Sequence, residues 1–241
     1  MVDKYLVNLA YTYEGNWNKI RNAIGKKEGV IEHKIVDNYI TILDDRYPSC
    51  LKELKDPPWV LFYKGDLSLL QKSMVTIVGS RNMCSYGEIV TKKITNYLKQ
   101  DHVIVSGLAK GVDVTAHKEA LLGGKTIAVV GHGLYYQYPY CNSKVYTQIE
   151  KDGLLLSEFP FYTSVKKYNF PVRNRLLAAL GNKIIVTQAS IRSGTMLTVN
   201  SALELGKEVY CVPYAFDSQE GAGCNRLIDE GAQILYDFNQ L

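Results

Sequence analysis

The 241-residue chain has few cysteines and no arrangement of them that does chemistry. Cys50, Cys84, Cys141, Cys211 and Cys224 form no CxxC pair, and their number is odd. This argues for reduced thiols in a cytoplasmic protein rather than a disulfide framework. No stretch approaches the roughly 18 apolar residues of a membrane span. The opening Met1 to Ala10 carries Asp3 and Lys4 and has no long apolar run, so no signal peptide is expected. His33, His102, His117 and His132 are scattered, with no two at i, i+4, and no metal site is expected. The phosphate-binding pattern G-x-x-x-x-G-K-[ST] is absent, which argues against a P-loop ATPase. The turn Gly79-Ser80-Arg81-Asn82-Met83-Cys84 is not G-x-G-x-x-G, and Gly131-His132-Gly133 has no third glycine in register. A dinucleotide-dependent oxidoreductase is therefore weakly supported. Repeats, linkers and low-complexity tracts are missing as well.

What remains is an ordinary globular composition, 46% hydrophobic and 22% charged. The net charge of +4 is compatible with nucleic acid without requiring it. Tyrosine is abundant, at 18 residues against 6 phenylalanines. Tyrosines stack on bases, but they also cover cores and edges.

Short β-branched runs recur at Tyr39–Leu43, Val60–Tyr63, Val75–Val78, Val103–Val105, Thr126–Val130, Leu154–Leu156, Lys183–Thr187, Val209–Val212 and Gln233–Leu235. From Val75 onward most are separated by enough chain for a helix. Val90, Ile94, Tyr97 and Leu98 mark one helical face. Leu197, Leu203 and Leu205 mark another segment, which Gly206 ends. The alternation predicts an α/β fold: a mostly parallel sheet with helices on both faces. The near-continuous apolar strands fit a sheet covered on both sides. Residues 1–36, with Trp17, Ile20 and Ile24 at helical spacing, read as a short N-terminal helical appendage to a domain spanning 37–241.

In an open parallel sheet, ligands bind beyond the carboxyl ends of the strands. Nearly every strand here is followed by glycine, serine or a cation. The turns include Gly79-Ser80-Arg81, Ser106-Gly107-Leu108-Ala109-Lys110-Gly111, and Ser193-Gly194-Thr195 at a predicted helix start. Each turn alone is explained by the small residues that tight βα connections need. Together, two of them carrying cations, they describe a phosphate-binding rim. The stretch Phe170-Pro-Val-Arg-Asn-Arg-Leu-Leu-Ala-Ala-Leu180 adds Arg173 and Arg175 at the entrance to an apolar segment, with Lys166 and Lys167 upstream. A helix start favours acids, so basic residues there ask for a visiting anion. Asp113 is expected to cap a helix and His117 to be packed. Glu158 fits either a general base or the partner of a cation.

These stretches resemble the DNA-processing protein A family (DprA/Smf). The resemblance lies in IVGSR (77–81), VSGLAKGVDVTAHKEAL (105–121), GGKTIAVVGHGL (123–134), YP (138–139), LLSEFPF (155–161), FPVRNRLLAAL (170–180), SGTMLTVNSALELGKEVYCVP (193–213) and GCNRLIDEGAQIL (223–235). It implies an extended Rossmann-like fold without catalytic activity or cofactor. It also implies binding of single-stranded DNA, loading of the recombinase RecA during natural transformation and recombination, and a homodimer. By motif, the DNA pocket would use Gly79, Ser80, Arg81, Lys167, Phe170, Arg173, Asn174, Arg175, Ser193, Gly194 and Thr195. Lys110 would stand where the family usually has arginine. Charge reversal at Arg173 or Arg175 is expected to abolish DNA binding and leave the fold intact. Dimerisation is expected through the C-terminal third, with Leu203, Val209 and Ile234 as candidates. Departures include Gln188-Ala189 where Glu-Ala is usual, Pro213-Tyr214 for Pro-Gly, and no acid after Leu134. No C-terminal winged-helix domain is expected.

The rival reading is a small-nucleotide sensor or a phosphoribohydrolase-like enzyme on a related fold. Such enzymes carry a glutamate in P-G-G-x-G-T-x-x-E, and Ser193-Gly194-Thr195-Met196-Leu197 has no acid.

Overall fold

The structure is a computed structural model that describes residues 2–241. A sheet of nine strands runs through it. The strands are β1 (Asn38–Thr41), β2 (Val60–Gly65), β3 (Met74–Gly79), β4 (Val103–Ser106), β5 (Thr126–Val130), β6 (Leu154–Ser157), β7 (Lys183–Gln188), β8 (Glu208–Cys211) and β9 (Gln233–Ile234). Every apolar run expected to be a strand is one. Their order across the sheet is β1-β2-β6-β5-β4-β3-β7-β8-β9. β2 pairs antiparallel with β1 and with β6, and all other neighbours are parallel.

Alternate residues of the central strands feed opposite cores. Val103, Val105, Ile127 and Val129 face one cluster. Ile104 faces a second, and Ala128 and Val130 a third. On the first face lie α3 (Ser49–Lys52), α7 (Asn169–Leu180), α8 (Thr195–Glu204) and α9 (Ala222–Asp229). On the other lie α4 (Ser85–Leu98) and α5 (Val112–Ala120), and beside them α1 (Val2–Thr12), α2 (Trp17–Gly25) and α6 (Ser143–Asp152). This is the α/β arrangement read from the strand–helix alternation.

The N-terminal helices do not hang off this body. Leu6, Val7, Leu9, Ile20 and Ala23 share one apolar cluster with Val60, Phe62, Ala128 and Ile149. Asn16 caps α2 by accepting from the Lys19 amide, and Trp17 stacks on Trp59 at 5.9 Å. The expected appendage is thus one end of a covering layer, because its apolar stripe finds exposed sheet to bury.

Other local expectations divide. Gly206 adopts φ +66° just past α8 and ends it. Leu197 and Leu203 on that helix are exposed, whereas Val209 is core and cannot serve a dimer surface. Tyr97 leaves the α4 core face and stacks on Phe238 at 4.9 Å. Asp113 does not cap α5. Gly111 does, and Asp113, the second residue of the helix, accepts from the Ala109 amide at 3.3 Å. No described helix is long and apolar enough to cross a membrane.

Candidate nucleic-acid interface

The chain lays β3, β4, β5 and β6 outward in one direction, then α7 carries it back across the sheet to β7. The order therefore reverses between β3 and β7, and a crevice opens beyond their carboxyl ends. A cleft of about 950 Å³ occupies this place. Its walls come from the loops after β3 and β7, from Tyr138 after β5, and from the starts of α7 and α8.

The β3 wall is held by unusually direct contacts. The Ser80 amide donates to the Gln188 carbonyl at 2.7 Å, and the Val112 amide to the Ser80 carbonyl at 3.1 Å. Gly79 lies so close to β7 and α5 that a Cβ would sit 2.6 Å from Val112 and 2.7 Å from the Gln188 carbonyl. Gly111 has φ +72°, and a Cβ there would lie 2.2 Å from the Ser80 carbonyl. Only glycine fits that approach. The Gln188 side chain then ties the loop from both ends. Its Oε1 accepts from the Cys84 amide at 3.0 Å and its Nε2 donates to the Asn82 carbonyl at 3.2 Å. Arg81 emerges from this braced turn, exposed, with its guanidinium 5.9 Å from the centre of the Phe170 ring.

The opposite wall is the start of α7. Phe170 and Pro171 occupy its first turn, where proline costs no hydrogen bond. Neither α7 nor α8 has an acid in its first turn, so both present unneutralised positive helix ends. At α8, Ser193 Oγ accepts from the Thr195 amide at 3.2 Å, and Gly194 is the exposed cap. Lys167 and Arg192 are exposed on the rim, and Asn174 and Thr195 complete the lining. Phe170 packs beside Tyr138, ring centres 5.7 Å apart at 34°. Of the residues expected at the site, Gly79, Ser80, Arg81, Lys167, Phe170, Arg173, Asn174, Ser193, Gly194 and Thr195 are all brought together.

Two expected residues are not in the lining. Lys110 is exposed on the β4–α5 loop, outside the cleft. Arg175 faces away from it. The sequence reading set both arginines at a helix entrance, but α7 begins at Asn169, so they lie in its second turn. Two residues apart on a helix is a rotation of about 200°. Arg175 consequently enters the interior and is 9% exposed. Its Nη1 and Nη2 donate to the Glu158 carboxylate at 2.7 and 2.6 Å, and its Nε donates to Asp56 at 3.1 Å. Burial works to lower this guanidinium, but Glu158 and Asp56 outweigh it and hold the group above its ordinary value. Glu158 is thus the partner of a cation rather than a base.

Arg173 reaches the cleft as its floor, 4% exposed. Nη1 donates to the Gly107 carbonyl at 2.9 Å and to the Val129 carbonyl, closing the ends of β4 and β5. Gly107 leaves room for it, since a Cβ there would sit 2.6 Å from Nη1. Burial pushes Arg173 down, and the nearby Asp113 opposes that shift. An arginine remains charged at neutral pH. Its Nη2 has no protein acceptor among the described residues.

Sequence reasoning missed Tyr138, Arg192 and the clamp by Gln188. Tyr138 and Arg192 stand beyond strands β5 and β7, so the strand-end rule that found Arg81 could have found them. The clamp depends on a contact 104 residues apart and has no local signature. His117 is buried as expected, bonded to Thr126 at 2.7 Å. No cluster of metal-ligating side chains occurs among the described residues.

The fold and site together define a Rossmann-like α/β protein with a cationic, aromatic-lined cleft at its switch point. The chain belongs to the family of DNA recombination-mediator protein A, whose model matches residues 38–241. It is 44% identical to DNA processing protein DprA of Streptococcus pneumoniae over 81% of this chain and 70% of that one. It is 39% identical to protein Smf of Synechocystis over 92% of this chain and 57% of the relative's length. The solved structure of the Streptococcus pneumoniae protein superposes with a TM-score of 0.82 at 40% identity, covering 90% of this chain and 77% of that one. DNA processing protein A from Helicobacter pylori, solved for its single-stranded DNA binding mode, gives 0.78 at 34% identity, covering 86% and 95%.

Proposed function

We propose that this protein binds single-stranded DNA in the switch-point cleft, without catalysis, and hands it to RecA during recombination and natural transformation. The observation that carries the reading is the cleft itself, in which exposed Arg81, Lys167 and Arg192 surround the Phe170–Tyr138 aromatic pair. Arginine suits phosphate because its planar fork grips two oxygens. The acid-free starts of α7 and α8 add donors for the same backbone. Bases then stack on Phe170, which accepts any of the four. The Helicobacter pylori relative's single-stranded DNA binding supports the assignment. Lys110, exposed outside the cleft, would meet the strand only beyond it. Of the carboxyl groups in the cleft, Asp113 is buried, accepts from the Ala109 amide and lies near the charge of Arg173, and Glu220 lies on the exposed rim. A homodimer in the cytoplasm, needing no cofactor, is part of the same reading.

A cleft of this volume also suits a small nucleotide, which is the competing occupant. Fluorescence anisotropy of labelled oligo-dT across a salt series, with duplex competitor, separates the two. Each neutralised phosphate on a single strand contributes a log–log slope of about −0.7, so three cations predict about −2. No binding at low salt, with release of free base from a mononucleotide, would replace this reading by the enzymatic one.

A further inference from the structure

We infer that Tyr135 and Tyr162 form a second base-stacking platform, continuous with the cleft, for the single strand as it leaves Phe170. The inference rests on the single-stranded DNA reading and extends the footprint beyond the cleft.

Tyr135 is 59% exposed and Tyr162 61% exposed. Burying a large ring is strongly favourable, so two that stay open side by side present faces for something else. They are held by each other and by Phe161. Tyr135 lies 5.2 Å from Tyr162 and 5.6 Å from Phe161 between ring centres, and Phe161 lies 4.8 Å from Tyr162. The backbone beneath is pinned as well. The Tyr135 amide donates to the Phe161 carbonyl at 3.1 Å and the Gly133 amide to the Thr163 carbonyl at 2.9 Å. The Phe161 amide donates to half-buried Asp37 at 2.9 Å. A Cβ on Gly133 would lie 2.2 Å from the Pro160 and Phe161 carbonyls, so this packing requires glycine. The platform is therefore ordered before any ligand arrives, which lowers the cost of binding.

Its position joins it to the cleft. Tyr138, three residues along the same loop, packs beside Phe170 in the cleft wall. The Tyr146 hydroxyl fixes Tyr138 by donating to its carbonyl at 2.7 Å. Three residues of extended chain span at most about 11 Å, so the Tyr135 and Tyr138 backbones lie within reach of one short run of nucleotides.

Charge selects the occupant. The two loops, residues 131–142 and 159–172, contain no aspartate or glutamate and include Lys166 and Lys167. Lys166 is paired with Glu14, and Lys167 is exposed beside the cleft. The nearest carboxylate, Asp37, is taken up by the Phe161 amide and the Tyr11 hydroxyl, and Lys64 lies 5.5 Å from the centre of the Phe161 ring, so the aromatic surface suits stacked bases with a phosphate backbone alongside.

The test uses oligo-dT of about 5 and about 15 nucleotides, within the range of single-strand site sizes. Parent protein, Arg81→Glu, the double variant Tyr135→Ala/Tyr162→Ala, and Tyr135→Phe/Tyr162→Phe are compared by anisotropy, with near-UV circular dichroism reporting the fold. The alanine pair should bind the longer oligonucleotide about tenfold or more weakly, with an unchanged salt slope and little change for the shorter one. The phenylalanine pair, which keeps both ring faces, should bind like the parent. If Arg81→Glu binds more weakly than the parent, but the alanine pair matches the parent at both lengths, the platform is refuted and the cleft reading stands. If parent and Arg81→Glu bind alike, or the parent does not bind, the cleft reading fails and the platform with it.

Discussion

Replacing Arg175 by alanine separates a structural arginine from a DNA-binding one. The Arg175 side chain is 11% exposed and that of Glu158 4%, with Nη2 and Oε2 2.6 Å apart. Removing the guanidinium leaves a carboxylate buried without its counter-ion, a loss of about 3–5 kcal/mol. The Asp56 contact adds little, because that carboxylate is 40% exposed and well solvated. For a chain of this length each kcal/mol moves Tm by about 2–4 °C, so a fall of about 6–20 °C is expected. The companion variant Arg175→Met/Glu158→Leu removes both charges and fills the space. It should recover most of the loss, since an apolar replacement of a buried pair is often neutral. Urea unfolding followed by circular dichroism gives the stabilities, and anisotropy on the folded protein gives the salt slope. Arg175→Ala should keep the parental slope. A variant as stable as the parent, with a slope shallower by about 0.7, would refute this assignment and return Arg175 to the DNA contacts.

The remaining predictions concern the cleft and its supports. Arg81→Glu and Arg192→Glu should leave Tm within about 1 °C of the parent while weakening oligo-dT binding and flattening the salt slope by about 0.7 each, by the same anisotropy series. Gly111→Ala should cost at least about 1–3 kcal/mol in urea unfolding, because its φ of +72° and the 2.2 Å approach to Ser80 both exclude a side chain. His117 is fully buried, and burial, aided by the charge of Arg173, pushes its ring down to about 3. The unfolded chain, with a histidine near 6.5, therefore takes the proton first. Stability contributed by neutral His117 is intact above pH 6.5 and lost as pH falls towards 3, by up to about 1.4 kcal/mol per pH unit. Urea midpoints measured from pH 7 to 4 should fall more steeply in the parent than in His117→Asn.

The legibility of this chain follows the range of the forces involved. Strands such as Thr126–Val130 were readable because burial on both faces writes an unbroken apolar run. The strand-end rule then located Arg81 and Ser193-Gly194-Thr195 without any knowledge of strand order. Arg175 was misread because its role depends on the phase of α7, fixed by where the helix starts, and on Glu158 and Asp56 from other elements. The N-terminal helices looked separable because their stripe is amphipathic, and a sequence does not say which surface an apolar stripe covers. Gln188 gave no sign of its clamp, since both bonds close across the sheet.

That clamp bears on when the protein becomes competent. Arg81 is translated long before Gln188, yet the loop that carries it is fastened only once β7 lies beside β3. Arg173, Arg192 and the α8 turn arrive in the same late stretch of synthesis. The grip is therefore finished only where two distant stretches of chain meet, and loosening the pairing of β3 with β7 would free the Arg81 loop without any change to Arg81 itself.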